Sequence, residues 1–100
     1  MKNRKIIITE KAEIDINNIE QFIAKDNIKA AKEFLNKLKK SFISISCYPR
    51  IGKNRPEFSG DNKILFLPVM TNYLIVYTII DNDLYIVRVL TKYQNICAIL

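Results

Sequence analysis

Apolar residues change their spacing once along this chain, and the change divides it in two. In the first half they recur every three or four residues, as Ala12, Ile16, Ile19 and Ile23 and then as Ala31, Phe34, Leu35, Leu38, Phe42 and Ile45. In the second half they run together at residues 64–67, 73–80 and 84–90, rich in β-branched and aromatic side chains. The first spacing marks one face of an α-helix, the second the strands of a sheet. A chain of this kind is neither all helix nor all strand; it is α+β.

Local signals sharpen the division. Residues 5–8 read as a first short strand, and Thr9 is placed to cap a helix whose positive end Glu10 and Glu13 favour. Asp26-Asn27 interrupts the helical stripe and offers a second cap, so the two helices form a tight antiparallel hairpin that ends before Pro49. Arg50 to Asn62 has loop composition, with Pro56 and both glycines, Gly52 and Gly60. Asp81-Asn82-Asp83 marks a β-hairpin turn. The expected order is β-α-α-β-β-β, a small antiparallel sheet with the helical hairpin on one face, in a single domain over residues 1–100.

Several chemistries are excluded by what the sequence lacks. With no histidine there is no Ser-His-Asp or Cys-His pair and no usual zinc site, and two isolated glycines cannot make a phosphate-cradling loop. No cofactor and no metal are expected. Cys47 and Cys97 stand far apart, as small apolar residues of a reducing compartment do. The basic start, Met1 to Lys5, is followed by only three isoleucines and then by acids, so no secretory leader is expected. No apolar run reaches the ~18 residues of a membrane helix. The expected setting is the cytoplasm.

Charge is the positive signal. Between Lys29 and Arg55 lie eight basic residues and one acid, Glu33, a local charge of +7 in a chain of net charge +6. Lys29, Lys32, Lys39 and Lys40 occupy the polar side of the second helix. Such a region suits an anionic partner, nucleic acid or an acidic protein segment, or else is a solvated face. In the last strand, alternation sets Tyr85, Val87 and Val89 against Leu84, Ile86, Arg88 and Leu90. An arginine amid apolar residues implies that its face is open, or that an acid such as Asp81 or Glu57 pairs with it.

These residues resemble the RelE/ParE superfamily of bacterial type II toxins, over residues 5 to 95. Ala12, Asp15, Ile16, Ile19, Phe22 and Ile23 match the pattern of its first helix, and Ala30-Ala31, Phe34 and Leu38 that of its second. Pro49 to Phe58 is similar to a ParE-type loop through Arg55-Pro56-Glu57. Tyr73-Leu74-Ile75-Val76-Tyr77 and Ile86-Val87-Arg88-Val89-Leu90 are similar to its strands. Where ParE-like chains continue with His-Gly-x-Arg-Asp, this one has Thr91, Gln94 and Asn95 in place of the histidine, arginine and aspartate.

The resemblance implies a toxin that inhibits growth by binding DNA gyrase and is neutralised by a cognate antitoxin in a hetero-oligomer. The alternatives are a ribosome-dependent messenger-RNA endoribonuclease, as in RelE-type members, or a degenerate inactive toxin. A gyrase inhibitor needs only a shaped cationic surface, for which Arg50, Lys53 and Arg55 are the candidates. An RNase without histidine would rely on Lys53, Arg55, Arg88, Lys92 and Tyr93, with Lys63 and Glu57 nearby in role. Leu84, Ile86, Arg88 and Leu90 are the expected antitoxin-binding residues, on an open sheet face whose edge invites strand addition.

Overall fold

Thr9 ends the first strand and begins the first helix. In the computed structural model, which describes residues 4–54 and 64–91, its side chain accepts from the Ala12 amide at 3.3 Å and caps α1, Glu10–Asp26. Its hydroxyl proton is shared between the carbonyls of Ile86 and Val87, at 2.9 and 3.0 Å. One residue thus stops β1, Ile6–Ile8, starts α1 and ties both to β5, Asp83–Thr91. Asn27 repeats the device, accepting from the Ala30 amide at 3.0 Å to open α2, Ile28–Cys47. Both caps and the helical hairpin agree with the sequence reading.

A single turn of 3₁₀-helix at Pro49–Ile51 leads to the two-residue β2, Lys53–Asn54. β3 is Leu65–Val69 and β4 is Tyr73–Ile80. The sheet runs β1-β5-β4-β3-β2. Asp81 and Asn82 both have positive φ, 51° and 68°, the backbone of the turn their side chains favour. Pro68 sits in β3 beyond the short reach of β2, where its missing N–H costs no ladder bond.

Two features depart from expectation. The sheet is mixed, because β1 pairs parallel with β5, Ile6 opposite Leu84 and Ile8 opposite Ile86. Parallel neighbours need a long crossover, and here everything from α1 to β4 supplies it. Also, part of the expected loop is ordered structure, since Lys53 and Asn54 pair with Phe66 and Leu65 at the far edge.

The larger correction concerns β5. Opposite it, Tyr77 pairs with Ile86 and Val76 with Arg88, so Val87 is an extra residue in a β-bulge. A bulge breaks strict alternation. Leu84, Ile86 and Val89 therefore all join the core under the helices, with Ile75, Tyr77, Phe34, Leu38, Phe42 and Ile45. Leu90 falls in a second cluster with Phe66 and Val76, against which Val87 and Leu74 pack. Leu84, Ile86 and Leu90 are each 0% exposed. They do not form the open face expected of them; their burial is part of what holds the sheet, at about 1.5–3 kcal/mol for each side chain of this size.

Phe34 and Tyr73 join α2 to β4 through tilted rings 5.0 Å apart. No described helix is long and apolar enough to cross a membrane.

Candidate functional site

The basic segment begins on α2, where Lys29, Lys32, Lys37, Lys39 and Lys40 are all exposed. Their apolar counterparts at helical spacing are buried beneath them, so packing the hairpin on the sheet turns the lysines outward. At the end of α2 the Tyr48 amide donates to the Ser44 carbonyl at 2.8 Å. Pro49 then forces the chain into the 3₁₀ turn that carries Arg50, and Lys53 follows in β2. Arg50 and Lys53 are exposed, as are the apolar Tyr48 and Ile51 beside them.

This turn is held from inside the sheet by Tyr77. The residue is fully buried, and its hydroxyl donates to the Pro49 carbonyl at 2.7 Å while accepting from the Gly52 amide at 2.9 Å. One phenol thus clasps the backbone on both sides of Arg50. Burial pushes the Tyr77 phenol up from its ordinary pKa, and the Gly52 amide pulls the other way. The hydroxyl stays protonated and remains able to donate.

Gly52 is required here for space, not for backbone freedom, since its φ is −79°. A Cβ at this position would lie 2.8 and 2.9 Å from Cε1 and Cζ of Tyr77, closer than carbon atoms pack. Loop, glycine and tyrosine form one unit that displays two cations on a fixed backbone.

Arg88 is paired with an acid, the second of the two readings the sequence allowed. Its Nε and Nη2 donate to the two carboxylate oxygens of Asp15 in α1, at 2.6 and 2.8 Å. The same carboxylate accepts the Val89 amide at 3.1 Å. The pair is 18% and 10% exposed, and the Asp15 hydrogen bond raises the Arg88 pKa further above its usual value. A guanidinium engaged on both edges of a carboxylate is a structural tie between helix and strand; it is not a free cation for a phosphate or a partner. The sequence reading foresaw an acid here but named Asp81 or Glu57. Asp81 does not fill the place, and Glu57 lies outside the described residues.

Arg55, Lys63, Lys92 and Tyr93 also lie outside the described residues. Of the candidate cations, the structure brings Arg50 and Lys53 together on one pinned loop and sets Arg88 apart, on the α1 side. Sequence reasoning gave no role to Tyr77, Gly52 or Asp15, although all three fall within the motif matches. The available signals were an acid placed three residues after Ala12, on the apolar stripe of α1, and one of only two glycines in the chain. Among the described residues no group of His, Cys, Asp or Glu gathers to hold a metal ion. The arrangement is suited to binding an anionic or polar surface through cations with apolar neighbours.

Comparison with known proteins places this architecture. Among proteins with curated descriptions, none matches the sequence. Among solved structures, the fold is similar to a chain of the chromosomal ParDE toxin–antitoxin system of P. aeruginosa. That likeness has a TM-score of 0.69 at 15% identity over 86% of this chain and 92% of that one. It is also similar to a conserved hypothetical protein of Helicobacter pylori, with a TM-score of 0.54 at 13% identity over 91% and 97%. Residues 6–96 match the profile of the ParE toxin of the type II toxin–antitoxin system ParDE, and the chain belongs to that family.

Proposed function

We propose that this chain is the growth-inhibiting toxin of a type II toxin–antitoxin module, that it acts in the cytoplasm by binding DNA gyrase, and that a cognate antitoxin protein neutralises it. The observation that carries the reading is the loop of Arg50 and Lys53, clasped by Tyr77 on both sides of Arg50. Binding to a large protein target rewards cations held on a fixed backbone, because less freedom is lost on association. It needs no acid–base pair. Engagement of Arg88 with Asp15 removes one of the cations on which RNA cleavage would rely. Arg55, the next cation in sequence, is assigned to the same contact on the resemblance alone.

The test is expression without a partner, followed by two assays on the purified chain: inhibition of gyrase supercoiling and ribosome-dependent cleavage of messenger RNA. Growth arrest is expected, with supercoiling inhibited and messenger RNA intact. Replacing Arg50, Lys53 and Arg55 together by alanine is expected to relieve the arrest. Cleavage without gyrase inhibition would assign the RNase activity instead, and normal growth at confirmed soluble expression would mark an inactive relic.

A further inference from the structure

Arg4 precedes β1, and its backbone surroundings are fixed because the Leu84 amide donates to the Lys5 carbonyl at 2.8 Å. Its Nη1 donates to the Ser46 carbonyl at 3.0 Å, in the last turn of α2. Its Nε is shielded from water and has no acceptor among the described residues. The side-on edge of a guanidinium, Nε with Nη2, is the one that takes a planar oxyanion through two parallel bonds. Arg88 shows this within the same molecule, where that edge holds both oxygens of Asp15. In Arg4 the corresponding Nε stands without a carboxylate.

Arg4 also lines a cavity of about 580 Å³ whose walls include Arg50, Pro49, Leu65 and Ile79. No acid appears in its described lining. Two guanidiniums on one concave wall, with no counter-charge and with apolar walls around them, concentrate positive potential inside the cavity. The Nε–Nη2 edge of Arg4 matches the two coplanar oxygens of a carboxylate, and the acetate and phosphate arms of the test below separate that group from a phosphate.

We propose that this cavity is a carboxylate-binding site, in which Arg4 takes an Asp or Glu side chain of the antitoxin through its Nε–Nη2 edge and Arg50 closes over the same group. That the carboxylate comes from an antitoxin rests on the function proposed above; the site itself does not. Because Arg50 is also a target-contact residue, an acid drawn into the cavity removes a cation from the toxic loop. Neutralisation then includes direct competition for one arginine.

The test uses the full-length chain made by cell-free synthesis with ¹⁵N-labelled arginine. The Nε–Hε resonances are followed during titration with sodium acetate and, separately, with sodium phosphate at matched ionic strength. The Arg4 signal is expected to shift saturably with acetate, while the Arg88 signal, already paired, stays in place; Arg4→Lys should abolish the acetate response at Arg50. No saturable response, or a response to phosphate alone, would overturn the carboxylate assignment. In the toxin–antitoxin complex, Arg4→Gln is expected to weaken binding by about 30-fold or more, as truncating one side of a shielded charge pair does. Acetate binding with unchanged antitoxin affinity would overturn the antitoxin as its source. Acetate binding by a chain that neither arrests growth nor inhibits gyrase would leave the site standing and refute the toxin reading.

Discussion

Arg88, in β5, and Arg4, just before β1, each reach to one helix of the hairpin, but only Arg88 meets an acid there. Arg88 lies against Asp15 of α1, which accepts both of its donor groups and an edge amide of β5 as well. Arg4 lies against the end of α2 and finds a single backbone carbonyl. A carbonyl at a helix C-terminus carries only a fraction of a negative charge, enough to orient a guanidinium without neutralising it. The contrast teaches how to tell a structural cation from one held ready for a ligand. Burial alone does not separate them; the number of acceptors on the side-on edge does.

The sharpest way to break this comparison is Asp15→Ala. It leaves a shielded guanidinium and the Val89 amide without their acceptor, and a loss of about 3 kcal/mol is expected. For a chain of this size that lowers the melting temperature by about 10 °C or more. A loss below about 1 kcal/mol would show that the pair is not the tie described.

Gly52→Ala comes next. The new methyl meets the Tyr77 ring, and overpacking of this kind costs about 1–3 kcal/mol, measurable by urea denaturation. Tyr77→Phe keeps the buried ring but strands the Pro49 carbonyl and the Gly52 amide. A cost of about 1–2 kcal/mol is expected, together with faster hydrogen exchange at the Gly52 amide.

The same phenol predicts a pH dependence. Its pKa is raised in the folded state by burial, so the folded chain holds the proton more tightly than the unfolded one. The stabilisation is complete below the ordinary tyrosine pKa of about 10 and is lost as pH rises through the higher folded value. The difference in urea midpoint between the parent chain and Tyr77→Phe should therefore shrink above about pH 10. The smallest effect is expected at Arg4, where Arg4→Gln in the isolated chain should change stability by less than about 1 kcal/mol. That result beside a large loss at Asp15 completes the contrast.

What was readable in the sequence was whatever neighbours along the chain decide. Thr9, Asn27 and the Asp81-Asn82 turn were legible because caps and tight turns depend on a few adjacent residues. The stripes of α1 and α2 were legible because helical spacing repeats over many turns. The bulge at Val87 was not, since it exists only in the register between β4 and β5. One inserted residue separates Leu90 from the face of Leu84 and Ile86, and both faces are buried, in two clusters. For the candidate site, local composition revealed the cations Arg50 and Lys53. It did not reveal the phenol that holds them, which is 25 residues beyond Gly52 in the chain, nor the partner of Arg88, 73 residues before it.

The Asp15 contact on the Val89 amide has a consequence for self-association. β5 continues past Ile86, the last residue paired with β1, and its border there would be a template for another chain's strand. A side-chain carboxylate on that border, with α1 beside it, occupies a donor that such a strand would need. Among the described residues the outer strands of the sheet are β1 and β2, of three and two residues, and each offers only a short ladder to a second molecule. The ion pair that ties helix to strand thereby also helps keep copies of this chain from zipping together.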